Sequence, residues 1–449
     1  MDAESISRAV GKYEKLILEA ERHIWKNPEP GYREWKTNAY LKEKYEALGY
    51  TLTMAGNVPG FITDVDTGRP GPRILVIGEL DSLIIKSHPE CDPATGAVHA
   101  CGHNAQSAAL LGIAAALKEP GMLDGLCGSI RLCAVPAEEH IEMEFRQGLA
   151  DAGIIKYMNG KNEFMSRGLF DGCDVAFMVH TTSSKTKRIS CSRGHNGTIA
   201  KVFTYKGKAA HAGSSPYRGI NALYAANVGL AAANALRETF PDSEHVRFHP
   251  IVTEGGTAVN SIPDRVRLES YVRGSSFETI IRENKKINRA LAAGAAALGA
   301  SLLISDRCGT APMSPDPGLY DLAKGAAEKV LPAENVVFYN SRESGSTDMG
   351  DVSCVIPALH PYISGATGGA HSANYYIVDP YSACVLSARF QLTLLSDLLS
   401  DGAAGAKKII ADFKPQFPSI KDYLAFRSSL DREFEAVSYA EDGTVTINV

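Results

Sequence analysis

The chain has 449 residues, 45% of them hydrophobic and 22% charged, with a formal net charge of -5. Domains usually hold ~100–200 residues, so two or three are expected, of ordinary soluble composition. The charge is mildly acidic and spread without long runs. This argues against nucleic acid or an anionic membrane as the main partner, and no stretch reaches the ~20 apolar residues of a membrane span.

In chain order, residues 5–26 and about 32–48 carry helical periodicity, separated by the breaker "NPEPGY". The N-terminal helix is charged and amphipathic and lacks the basic-then-apolar form of a signal peptide. Strand-like runs follow: "TLTMAG", "GFITDVD" and "RILVIGEL", the last ending at Asp81. A packed helix is expected from about Asn104 to Leu117, then the strand "SIRLCAVPAEE", a mixed helical stretch, and the strand "VAFMVH" ending at His180. Apolar runs alternating with helices predict an α/β sheet covered on both faces, with ligands at the carboxyl ends of its strands. Asp81, Glu138, Glu139 and His180 all fall at such ends.

From about Gly194 the order becomes β-α-β-β-α-β, ending near Ala311, which predicts a ferredoxin-like sandwich. The α/β character then resumes. The reading is a discontinuous larger domain, 1–193 and 312–449, interrupted by a smaller one at 194–311. Nine cysteines lie at irregular spacings, mostly in apolar surroundings, and read as free thiols of a reducing cytoplasm.

Four features carry chemistry. Cys101-x-His103 sets a thiolate and an imidazole in a glycine-containing loop that can aim both at one ion. Alone, that pair is common and weak. Glu138 and Glu139 are adjacent carboxylates after a buried strand, so one can ligate an ion while its neighbour takes a proton from metal-activated water. His180 ends an apolar strand and His371 sits in "GATGGAHSANYY". Each residue has a commoner structural role by itself. Together they form a mixed sulfur, nitrogen and oxygen set suited to Zn²⁺ or Mn²⁺, with Asp81 placed to orient a ligating imidazole. His140 is read as structural.

The stretches "GELDSL", "HACGHN", "AVPAEE", "MVH", "GKAAHAGSSPYRGINAL", "GGTAVNSIPDRVRLESYVR", "STDMGDVS" and "GGAHS" occur in the order of the M20 metallopeptidase/amidohydrolase family. They resemble most its branch with a cysteine ligand: N-acyl-amino-acid amidohydrolases, aminobenzoyl-glutamate hydrolase-like proteins and β-alanyl-lysine-type dipeptidases. The resemblance implies an α/β fold with a mixed sheet flanked by helices, zinc-exopeptidase-like, and an inserted ferredoxin-like lid or dimerisation domain. It implies two divalent ions per subunit, Zn or Mn, on Cys101, His103, Glu139, His180 and His371. Glu138 matches the general base and Asp81 the aspartate behind the ligands. His211 matches a histidine that reaches the partner subunit's active site, and Asn260 and Arg273 match residues that hold the substrate carboxylate. The implied activity is hydrolysis of an amide bond in an N-acyl amino acid or dipeptide-like substrate by a homodimer.

Three positions depart from the family pattern. Glu79-Leu-Asp81 stands where many members have His-x-Asp, Asn104 replaces a usual aspartate, and 157–172 reads as an insertion near the site. Two other functions compete with amide hydrolysis. One is a catalytically silent relative that binds a small acidic ligand or serves as a structural dimer. The other is a nucleophilic hydrolase using Cys101 and His103, disfavoured because two residues of one loop are poorly placed for such a pair.

Overall fold

The computed structural model describes residues 1–449 and divides into two compact units. The first comprises 1–194, 314–342 and 351–421. Its main sheet is mixed, with strand order Thr53–Met54, Phe61–Asp66, Ser129–Val135, Arg73–Glu79, Val175–Phe177, Ala358–Leu359. The last four run parallel, and Phe61–Asp66 pairs antiparallel with Ser129–Val135. The parallel strand Arg73–Glu79 is buried at every position but its first, as its unbroken apolar run requires when both faces are covered.

Helix His103–Leu117 is buried along its whole length. That explains its lack of an amphipathic stripe, since no face of it meets water. Helix Glu14–Trp25 and the long helix beginning at Ser387 pack in the same core. The N-terminal helical stretch is two helices, Ala3–Lys12 and Glu14–Trp25, which break at Tyr13.

A second sheet in this unit corrects the reading of "VAFMVH" as one strand. The main-sheet strand stops at Phe177, and His180 opens a new strand, His180–Ser183, parallel to Tyr362–Thr367 in the other sheet. The switch is fixed by the His180 amide donating to the Pro361 carbonyl at 2.9 Å.

The second unit comprises 195–313, 343–350 and 422–449. Its antiparallel sheet places Gly197–Lys206 between Arg265–Gly274 and Ser301–Cys308, with Arg247–Phe248 and Ile251–Glu254 on the far side of Arg265–Gly274. Helices Ala222–Ala235 and Phe277–Leu298 supply the rest of its core. The tail differs from the reading that runs the larger domain to 449. Strand Arg432–Tyr439 pairs with Ser301–Cys308, and Val445–Ile447 pairs in turn with Arg432–Tyr439. These strands satisfy the backbone edge of Ser301–Cys308 that a bare ferredoxin-like sandwich would leave open. No helix is long and apolar enough to cross a membrane.

Candidate metal centre

The parallel strands of the first unit end at one rim. Asp81 follows Arg73–Glu79, and Glu138 and Glu139 follow its neighbour Ser129–Val135. Cys101 and His103 stand at the entrance of the buried helix, around Gly102. Gly102 adopts φ +85, and a Cβ there would lie 2.0 Å from Thr181 Oγ1 and 2.4 Å from the Tyr375 hydroxyl. Only glycine fits this turn, and the turn lets both flanking side chains face one point.

Three overlapping groups of donors fall wholly within this unit, each with its atoms within 4.8 Å of one another. They are Cys101, His103 and His180; Cys101, Glu139 and His371; and His103, Glu138 and Glu139. Cys101 Sγ lies 3.3 Å from His180 Nε2. His371 is on a loop at φ +62, tied by its amide to the Ala100 carbonyl at 2.9 Å, with its side chain 53% exposed. Its Nε2 lies 3.1 Å from Glu139 Oε1 without the alignment of a hydrogen bond, so that buried oxygen lacks a donor.

The second nitrogens of the imidazoles are occupied. His103 Nδ1 donates to the Asp81 carbonyl and to Asp81 Oδ1, both at 3.0 Å, and His180 Nδ1 donates to the Thr181 carbonyl at 2.7 Å. This leaves Nε2 of each ring facing the donor cluster, and the buried His103 Nε2 makes no regular hydrogen bond. Orienting a ligating imidazole through its far nitrogen is the usual support for a metal site. Asp81 Oδ2 also accepts from the Glu139 amide at 2.9 Å.

The carboxylate turn is strained and clasped. Ala137 has φ +56, a conformation costing ~1–2 kcal/mol for a non-glycine residue. It is held by its amide donating to Glu34 Oε1 at 2.8 Å, and Arg146 Nη2 donates to the Glu139 carbonyl.

The electrostatics are those of anions crowded out of water. Burial would raise the Cys101 thiol, but the His180 and His103 imidazoles hold it well below its ordinary range. Burial would also raise Asp81, yet its hydrogen bond to His103 and that ring's charge bring it to about 2. Burial, reinforced by Cys101, pushes Glu139 up to about 7. A buried thiolate and carboxylates among inward-facing imidazole nitrogens suit divalent cations by donor type and by charge.

Two departures from the family pattern find their partners. Asn104 Nδ2 donates to the buried Glu21 Oε1 at 2.8 Å, where an aspartate would set two carboxyls together. Glu79 accepts from Lys161 and from Gln106 Nε2 and lies 3.2 Å from His103 Nε2. Sequence reasoning misses Lys161, Arg146 and Glu34, because no local pattern marks a charge that is buried by distant chain.

The remaining predicted residues lie in the second unit. His211 Nδ1 accepts from the amides of Gly213 and Ser214, both at 3.1 Å, and the His211 and Asn260 segments are joined by the Ala212 amide donating to the Asn260 carbonyl at 2.9 Å. Arg273 Nη1 donates to Ser346 Oγ at 2.7 Å.

The chain's likeness to known proteins defines an enzyme of the peptidase class that hydrolyses amide bonds. The chain belongs to peptidase family M20/M25/M40, whose model matches residues 78–396. It is 29% identical over 373 residues to Xaa-Arg dipeptidase of Mus musculus, covering 79% of this chain and 78% of that protein. It is 28% identical over 329 residues to N-acetyl-L-cysteine deacetylase of Bacillus subtilis, covering 70% and 73%. Among solved structures, a dinuclear metal-binding peptidase of the M20 family from Bacillus subtilis superposes with TM-score 0.66 at 19% identity, covering 87% of this chain and 99% of that one.

Proposed function

We propose that the chain releases an amino acid from an N-acyl amino acid or dipeptide-like substrate, using two divalent cations, zinc or manganese. Cys101, His103, Glu139, His180 and His371 hold the ions. The observation that carries this reading is the overlap of the donor groups. Cys101 belongs to one group with His103 and His180 and to another with Glu139 and His371, an arrangement that suits two neighbouring ions. The buried His103 Nε2 and Glu139 Oε1 support it, because each faces another charged group of the cluster without a regular hydrogen bond.

When bound, divalent cations polarise the scissile carbonyl and lower the pKa of a water from 15.7 towards ~7. Glu138, grouped with His103 and Glu139, is the carboxylate that would accept a proton from the attacking water and return it to the leaving amine. Asp81 holds His103 and the Glu139 backbone so that neither turns away. The substrate class is supported by the relatives, whose names join an amino acid to different acyl groups: a dipeptide ending in arginine and an acetylated cysteine.

In the second unit, Arg273 and Asn260 take the substrate carboxylate, for which the planar guanidinium fork is suited. His211 serves the centre of a partner subunit by stabilising the developing oxyanion, which makes the working form a homodimer. Exposed Tyr224, Val228, Ile251 and Val252 on this unit suit such an interface. Nine free cysteines fit a reducing, cytoplasmic compartment.

The test is a product screen on N-acyl amino acids and dipeptides, with chelation and re-addition of Zn²⁺ or Mn²⁺. Hydrolysis that a chelator abolishes and metal restores supports the reading. Undiminished hydrolysis after complete metal removal overturns it.

A further inference from the structure

The stretch that reads as an insertion is built into the interior. Helix Gly160–Ser166 is buried at each of its first six positions, Lys161 among them at 0% exposed. A Cβ on Gly160 would stand 1.7 Å from the Pro136 carbonyl oxygen, so the absence of a side chain lets the helix start press on the turn leading to Glu138 and Glu139. The Gly160 amide donates to the Ala137 carbonyl at 3.1 Å. From this foothold Lys161 Nζ reaches Glu79 Oε1 at 2.5 Å.

The other end of that carboxylate faces the metal centre. Glu79 Oε2 accepts from Gln106 Nε2 at 2.9 Å and lies 3.2 Å from His103 Nε2, while Ser107 Oγ donates to the Glu79 carbonyl at 2.6 Å. Glu79 is fully buried too. Burying two opposite charges costs several kcal/mol per ion, and an apolar pair of similar volume is often as stable or more so. An ion pair in this place therefore calls for a reason beyond filling space, and its contact with a ligating nitrogen supplies one.

We infer that Lys161 is a positioning residue of the metal centre. It fixes the Glu79 carboxylate against His103 Nε2, so that a cation taken up by that nitrogen has a further negative group beside it. The inference rests on the two-ion reading above. It gives the insertion a definite task, which is to set how tightly one of the two ions is held.

The experiment is a titration of the metal-depleted full-length protein with Zn²⁺ and with Mn²⁺, monitored by equilibrium dialysis and elemental analysis. The variants are Lys161→Met, Glu79→Gln, the double variant and Lys161→Arg. The expected result is that one of two equivalents binds at least about tenfold more weakly in K161M and in E79Q, with the other unchanged. The double variant binds no more weakly than E79Q alone, because Lys161 acts through Glu79. Lys161→Arg recovers most of the parental affinity.

Three outcomes overturn the inference. In the first, K161M lowers the melting temperature but binds both equivalents as the parent does, the behaviour of a core ion pair. In the second, the K161M effect is as large without Glu79 as with it. The third covers a K161M protein that does not fold. The double variant, which removes both charges of this pair, then decides: parental binding of both equivalents rejects the inference. A parent that binds no divalent ion fails the underlying reading itself, an outcome separate from all three.

Discussion

Asp81 grips His103 twice, accepting from its Nδ1 through both the backbone carbonyl and Oδ1 at 3.0 Å. Its remaining oxygen, Oδ2, takes the Glu139 amide at 2.9 Å, so one buried carboxylate sets two groups of the proposed metal site. Asparagine offers a single acceptor oxygen, and Asp81→Asn must leave one of these donors facing an NH₂ group. Metal affinity is expected to fall 10–100-fold, read by competition with a chromophoric chelator. Parental affinity in D81N contradicts the assignment.

Adjacent carboxylates should separate by phenotype. Under the proposed roles, Glu138→Gln removes the proton acceptor and leaves the ligand set intact, so kcat is expected to fall ~10²–10⁴-fold while metal content stays at the parental level. Glu139→Gln instead loses metal. Activity assays paired with elemental analysis distinguish the two, and equal metal loss in both variants rejects the division of roles.

The Gly102 turn predicts a steric penalty. Gly102→Ala places a methyl group 2.0 Å from Thr181 Oγ1 at a φ of +85. The cost is about 2 kcal/mol or more, from left-handed backbone and overpacking together. Thermal unfolding of the metal-free variant should show a clear drop in Tm. An unchanged Tm means that the turn relaxes freely.

Glu21 gives a pH signature. Burial lifts its carboxyl from 4.5 to about 7 against the hydrogen bond from Asn104. Between these values the folded chain keeps a proton that the unfolded chain has released, so stability falls as pH rises from about 4.5 to about 7, and the loss persists above. Its size is at most roughly 3 kcal/mol. Glu21→Gln has no such proton to lose, so its stability relative to the parent should improve from pH 4.5 to pH 8. Denaturant unfolding at both pH values measures this, and a constant difference contradicts it.

The sequence discloses those parts of the candidate site that local chemistry marks. Cys101-x-His103, Glu138-Glu139, His180 and His371 each stand at a strand end or a glycine loop, where a polar residue next to an apolar run is conspicuous. The β-α-β-β-α-β order likewise follows from periodicities that each element carries by itself. What stays hidden depends on long-range contact. "REFEAVSY" becomes a strand because the edge of Ser301–Cys308 is open to it, more than a hundred residues away in sequence. The chain leaves the main sheet after Phe177 because Tyr362–Thr367 offers His180–Ser183 a partner. Lys161 looks like any helix-surface lysine until the turn at Pro136 and the carboxylate of Glu79 are placed around it.

The most direct measurement is the metal content of the full-length protein after saturation and removal of free ion, compared with Cys101→Ala and His371→Ala. The parent should hold two divalent ions per chain. C101A, which removes a donor common to two of the groups, should hold fewer than H371A. A parent without bound metal, or variants that keep both ions at parental affinity, would contradict the claim that these side chains share one binuclear centre.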